Sequence, residues 1–146
     1  MKVLIAEDNE LKLKSILGFL ERDHFIVDSD ITVVMTPDDA IFEIKKRSFD
    51  FFILDMSLPA FEQDMKKIRS LSGKKVLMTM KHKRLKTKTV VLTQWDVFGH
   101  HDGRVSLSNL KSELLDSYSS FLSDIIFWEP SSNEWKEKIS QYIKEL

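Results

Sequence analysis

Short, unbroken apolar runs alternate along the chain with longer stretches in which apolar residues recur every three or four positions. The runs are Val3 to Ala6, Ile31 to Met35, Phe51 to Leu54, Val90 to Thr93 and Ile125 to Trp128. A strand covered on both faces needs no polar alternation, so these predict five buried parallel strands. Between them, Leu13, Ile16, Leu17 and Leu20 share one helical face, as do Leu110, Leu114, Tyr118, Phe121 and Leu122. Trp135, Ile139, Tyr142, Ile143 and Leu146 form a last such face at the end of the chain. Apolar faces of this spacing cover a sheet.

Helix starts are legible too. Thr36-Pro37-Asp38-Asp39 offers an N-cap, a proline at the first helical position and acids in the first turn. Ser131-Ser132-Asn133-Glu134 does the same before the last helix. The stretch from Ala60 to Thr89 is longer than one helical connection needs, and Ser72-Gly73 divides it into two helical pieces. Phe25-Ile26-Val27 reads either as a short extra strand or as a lead into the second one, and a loop runs from Gly99 to Val105.

Strands alternating with helices, without internal repeats or linkers, predict a single α/β domain over residues 1–146. The expected architecture is a flavodoxin-like, doubly wound five-stranded parallel sheet of order 2-1-3-4-5 with helices on both faces. Length agrees, because 146 residues suffice for one self-supporting core. A net charge of −1 steers the chain toward neither nucleic acid nor acidic partners. With no cysteine there are no disulfides, thiolate metal sites or Cys nucleophiles, which fits a reducing compartment. The apolar start Val3 to Ala6 runs at once into Glu7 and Asp8, too short for a signal peptide or membrane span, so a cytoplasmic protein is expected.

In open parallel sheets, ligands bind beyond the carboxyl ends of the strands flanking the switch point. Glu7 and Asp8 follow the first strand and Asp55 follows the third, so the three acids should converge. Converging carboxylates repel unless a cation lies among them, and Mg²⁺ favours a few carboxylate oxygens. With such an ion offsetting charge on the phosphoryl oxygens, Asp55 is the candidate nucleophile toward phosphorus. The alternative is three unrelated acids at loop starts, and their joint position at adjacent strand ends favours the site.

The residues around these acids resemble the response-regulator receivers of two-component signalling. The likeness lies in Val3-Leu4-Ile5-Ala6-Glu7-Asp8-Asn9, in Phe52-Ile53-Leu54-Asp55-Met56-Ser57-Leu58-Pro59 and in Thr93 at the end of the fourth strand, and it spans nearly the whole chain. It implies that Glu7 and Asp8 are a metal-binding acidic pair, Asp55 the phosphoacceptor and Thr93 the switch hydroxyl. Ser57 would lend its backbone carbonyl to Mg²⁺, and Pro59 would be the loop proline. It further implies a histidine kinase or phosphotransfer protein as donor. A downstream protein would read the face of the fourth helix, fifth strand and fifth helix.

The chain departs from the receiver pattern at several positions. Phe127-Trp128-Glu129-Pro130 carries Glu129 where receivers keep a lysine, and a fourth carboxylate in the pocket would repel an incoming phosphoryl group. If the fifth strand ends one residue earlier than expected, Glu129 is instead a solvent-exposed acid. Gln94 follows Thr93 where a small residue is usual, Ile126 stands in place of a switch aromatic, and Ala60-Phe61-Glu62-Gln63 lacks the usual glycine.

Other features have ordinary explanations. Thr93 alone reads as packing or turn chemistry more often than as a switch, and gains weight only from the rest of the pattern. The run Lys81 to Lys88 lacks the aromatic interleaving of a nucleic-acid surface and reads as a solvated helix end. His100-His101-Asp102 lacks the spacing that brings two imidazoles to one ion. Trp95, Phe98, Trp128 and Trp135 read as core, or as a partner surface where exposed.

The expected function is therefore a single-domain response regulator, without an output domain, that accepts a phosphoryl group on Asp55 with Mg²⁺. A pseudo-receiver, docking to proteins without phosphorylation, is the alternative. A Mg²⁺-dependent phosphohydrolase ranks last, because Asp55-Met56-Ser57 brings no second general acid-base carboxylate. Enzymatic activity beyond the domain's own phosphorylation and dephosphorylation is not expected, nor is binding to membrane or nucleic acid.

Overall fold

A computed structural model describes residues 1–59, 71–98 and 105–146. Five parallel strands form the central sheet: β1 (Val3–Ala6), β2 (Ile31–Val34), β3 (Phe51–Leu54), β4 (Lys88–Thr93) and β7 (Leu122–Phe127). They lie in the order β2-β1-β3-β4-β7. This is the expected doubly wound topology, with a small antiparallel strand pair, β5 (Val97–Phe98) and β6 (Val105–Ser106), after β4. Of the loop expected from Gly99 to Val105, Val105 opens β6, while 99–104, with His100, His101 and Asp102, lie outside the described residues.

Alternate residues of each strand feed two cores. On one face Leu4, Ala6, Phe52, Leu54 and Val91 pack with α2 (Pro37–Lys46), α3 (Gly73–His82) and α4 (Leu107–Ser117). On the other, Val3, Ile5, Phe51, Ile53, Val90 and Leu92 meet α1 (Glu10–His24) and α5 (Glu134–Lys144). Burial on both sides explains why these runs carry no polar alternation. Thr36 caps α2 by accepting from the Asp39 N–H, with Pro37 at the first turn as expected.

Some boundaries differ from expectation. Phe121 and Leu122 do not belong to the face of α4, which stops at Ser117, and Leu122 instead opens β7. Pairing with the six-residue β4 draws Leu122 into the sheet, while Phe121 stays in the preceding turn and accepts from the Thr89 N–H at 2.9 Å. Asp124 interrupts the apolar run that suggested a start at Ile125, yet it is accommodated inside β7. Its carboxylate accepts from the Tyr142 hydroxyl at 2.8 Å and lies 3.2 Å from the Lys111 ammonium. At the other end β7 closes at Phe127, one residue earlier than expected. Phe25 caps α1 in the left-handed conformation and a 3-10 turn, Asp28–Asp30, leads into β2, so Phe25-Ile26-Val27 is no extra strand. Of the two helical pieces expected before β4, the second is α3, and the first falls on 60–70, outside the described residues.

The aromatic set Trp95, Phe98, Trp128 and Trp135 is core, with Phe98, Trp128 and Trp135 buried and Trp95 packed partly against the cluster beneath α3 and α4. Most of the basic run is exposed where α3 ends at His82, as expected of a solvated helix end. Lys81 donates to the Ser117 carbonyl, and Lys88 donates to the Tyr142 carbonyl. No described helix is long and apolar enough to cross a membrane.

Candidate functional site

Ladder hydrogen bonds run one residue beyond β1 and β3 and fix the backbones of the first and third acids. The Glu7 N–H donates to Val34 O at 3.0 Å, and the Asp55 N–H donates to Ala6 O at 2.9 Å. The chain then turns, and Asn9 caps α1 by accepting from the Lys12 N–H. Glu7 holds that turn as well, its Oε2 accepting from the N–H groups of Asp8 and Asn9 at 3.2 and 3.1 Å. Carboxylate oxygens of Glu7, Asp8 and Asp55 lie within 4.8 Å of one another, the convergence expected from sequence.

The segment after Asp55 is clamped from α3. The Gly73 N–H donates to Met56 O at 2.8 Å and the Ser72 hydroxyl donates to Leu58 O at 2.6 Å. A Cβ on Gly73 would stand 2.9 Å from both the Asp55 carbonyl oxygen and the Met56 Cα. Backbone at that distance must move, so Gly73→Ala is expected to cost about 1–3 kcal/mol of stability. Displacing the backbone beside Asp55 should also slow any phosphoryl uptake roughly ten-fold or more. Thermal unfolding together with timed intact-mass measurement checks both effects.

The pocket contains a residue that the sequence reading did not single out. Lys12 is completely buried, and its ammonium forms an ion pair with Glu7 Oε1 and donates to the Leu92 carbonyl. It also reaches Gln94 Oε1 at 3.0 Å and Asp55 Oδ1 at 3.3 Å. Burial opposes its charge, but Asp55 and Glu7 outweigh burial and hold the ammonium above its ordinary value. Burial pushes Glu7 up to about 7, with Asp55 adding to the rise and Lys12 opposing it. Burial and the Asp55 charge also raise Asp8.

A sequence signal for Lys12 existed. The buried face of α1 is Lys12, Ile16, Phe19 and Leu20, so the lysine stands one turn before Ile16 in the phase of core residues. Gln94, anomalous as a follower of Thr93, has a structural partner in the same ammonium.

The remaining positions are placed as follows. Thr93 is fully buried at the end of β4, its hydroxyl accepting from the Trp95 N–H at 3.2 Å. Ser57 and Pro59 are partly buried, and Ile126 is buried in β7. Glu129 is exposed, two residues past the end of β7, and is not part of the acidic cluster found among the described residues. An exposed charge is screened by solvent and salt. Glu129→Lys is accordingly expected to change phosphoryl uptake by no more than about two-fold, as side-by-side labelling with the parent protein would measure.

The donor chemistry suits a divalent ion. Three carboxyl groups against one ammonium leave an excess of acid in a largely buried pocket, and all-oxygen donors are those that Mg²⁺ selects.

No protein-family model matches the chain. Among curated proteins, it is 30% identical to the Detocs response regulatory protein DtcB of Enterobacter cloacae, with both chains covered completely. Among solved structures, it resembles the receiver domain of Francisella response regulator 1452 at 23% identity and a TM-score of 0.61, covering 99% of this chain and 97% of that one. A signal receiver domain of a LuxO repressor protein from Vibrio parahaemolyticus gives 24% identity and a TM-score of 0.65, covering 99% and 90%.

Proposed function

The chain belongs to the response-regulator receiver family of two-component signalling, and from that membership we propose that it accepts a phosphoryl group on Asp55 with the help of Mg²⁺. The observation that carries this reading is the placement of Asp55 at the carboxyl end of the central strand β3, with oxygens of Glu7 and Asp8 within 4.8 Å of its own. Glu7, Asp8, Asp55 and the Ser57 carbonyl are the groups that would hold the ion. When bound, Mg²⁺ supplies positive charge against the phosphoryl oxygens.

The chain's own residues do the rest. Asp55 is 1% exposed, so water has little access to its carboxylate. The Ser72–Gly73 clamp fixes the backbone that follows it. The Thr93 hydroxyl stands at the neighbouring strand end as the switch group, exchanging its contact with the Trp95 N–H for the modified Asp55. The donor is a histidine kinase or phosphotransfer protein, and the surface formed by α4, β7 and α5 is the one a downstream protein reads. The setting is cytoplasmic, and the protein is a signalling partner with no turnover beyond its own phosphorylation and dephosphorylation.

The test is incubation of purified protein with Mg²⁺ and a small acyl phosphate, followed by intact mass. The expected result is a gain of one phosphoryl group, and a folded protein that never gains it overturns the reading. One observation favours a second reading, the phosphorylation-independent pseudo-receiver. Lys12 gives the pocket a cation that belongs to the fold. Protein that binds Mg²⁺ and stays unmodified would support that reading.

A further inference from the structure

We propose that Lys12, delivered from the first helix, is the residue that binds the phosphoryl group once Asp55 carries it. This rests on the reading of Asp55 as phosphoacceptor and assigns the cation that faces the transferred group. Four acceptors surround the Lys12 ammonium: Glu7 Oε1, the Leu92 carbonyl, Gln94 Oε1 at 3.0 Å and Asp55 Oδ1 at 3.3 Å. An ammonium has only three N–H donors. The Asp55 contact is the longest of the four, so the other three partners suffice to hold the nitrogen in position. The nucleophile therefore stands beside a fixed positive charge and holds it only through its longest contact.

Transfer moves a phosphoryl group from an acyl phosphate to a carboxylate oxygen of Asp55. The new oxygen–phosphorus bond forms as the donor's oxygen–phosphorus bond breaks, and the departing acid keeps that electron pair. No proton is gained or lost by Lys12. The acyl phosphate so formed places more negative charge beside the ammonium than the carboxylate did. Its oxygens then displace the weakest competitor for the third N–H, the neutral amide oxygen of Gln94. A charge already in place where negative charge develops requires no reorganisation during transfer. Glu7, paired with Lys12 through Oε1 and with the Asp8 and Asn9 N–H groups through Oε2, keeps the ammonium aimed into the pocket.

The alternative, in which Lys12 serves only as internal packing charge, predicts a different outcome. Two experiments separate them. In the first, wild type, Lys12→Arg and Lys12→Gln are labelled with a small acyl phosphate and Mg²⁺, with circular dichroism and thermal unfolding as controls for folding. Lys12→Gln is expected to label on the order of 100-fold more slowly, and Lys12→Arg to recover much of the loss. In the second, which needs no variant, the wild-type protein is crystallised with Mg²⁺ and trifluoroberyllate. The Lys12 nitrogen is expected about 2.8 Å from a fluorine standing for a phosphoryl oxygen.

A folded Lys12→Gln protein that labels at the wild-type rate overturns the proposal. So does an adduct on Asp55 with Lys12 still bound only to Glu7, Leu92 and Gln94. Should Lys12→Gln fail to fold, the wild-type adduct decides. A wild-type protein that neither labels nor forms the adduct overturns the Asp55 reading itself, whereas failure confined to Lys12 leaves that reading standing.

Discussion

Asp55→Asn protein is expected to take up no phosphoryl group from any donor while remaining folded. Asparagine matches aspartate in size, so the buried site at the end of β3 keeps its packing, and the Asp55 N–H keeps its ladder bond to Ala6. What disappears is the anionic oxygen that attacks phosphorus, and neither Glu7 nor Asp8 replaces it. Both oxygens of Glu7 are already engaged, by Lys12 and by the turn into α1. Asp8 lies beyond a different strand. The electrostatic consequences for stability oppose each other. Lys12 loses one ion-pair partner, but the repulsion that Asp55 exerts on Glu7 and Asp8 also disappears. The unfolding midpoint should therefore move by only a few degrees, a change of about 1 kcal/mol or less. Intact mass reads the first effect and a thermal melt the second.

Removing the metal should have a nearly equal effect on the reaction. Lys12 offsets one of the three pocket carboxylates, and the negative charge that remains would meet a phosphoryl donor that is itself negative. Chelation of Mg²⁺ is expected to slow labelling on the order of 100-fold or more. Residual labelling would come from Lys12, since its ammonium is part of the fold and survives chelation. Labelling time courses with Mg²⁺, with chelator, and with Mg²⁺ restored check this, and full recovery on restoration separates loss of the ion from loss of the fold.

The sheet was legible from sequence because its central strands, β1, β3 and β4, are buried on both sides. Such strands appear as plain apolar runs, and the acids that end β1 and β3 mark where those runs leave the core. Boundaries were less legible where polar residues found partners inside. Asp124 masked the start of β7 because sequence does not show that Tyr142 and Lys111 satisfy it. The face of α4 seemed to continue through Phe121 and Leu122, since an apolar residue near a helix end serves helix and strand equally well until pairing decides.

The acidic cluster followed from the strand order alone. Lys12 did not, because a lysine one turn into a helix usually lies in solvent. Only its phase with Ile16, Phe19 and Leu20, together with nearby acids needing a counter-charge, pointed inward. Glu129 illustrates the opposite case. One residue of difference at the end of β7 separates a pocket carboxylate from an exposed one.

The most direct test of the account is to locate the modification on wild-type protein. After incubation with Mg²⁺ and a small acyl phosphate, peptide fragmentation by mass spectrometry should place a single phosphoryl group on Asp55. A folded, Mg²⁺-binding protein that remains unmodified, or that carries the group on any other residue, would contradict it.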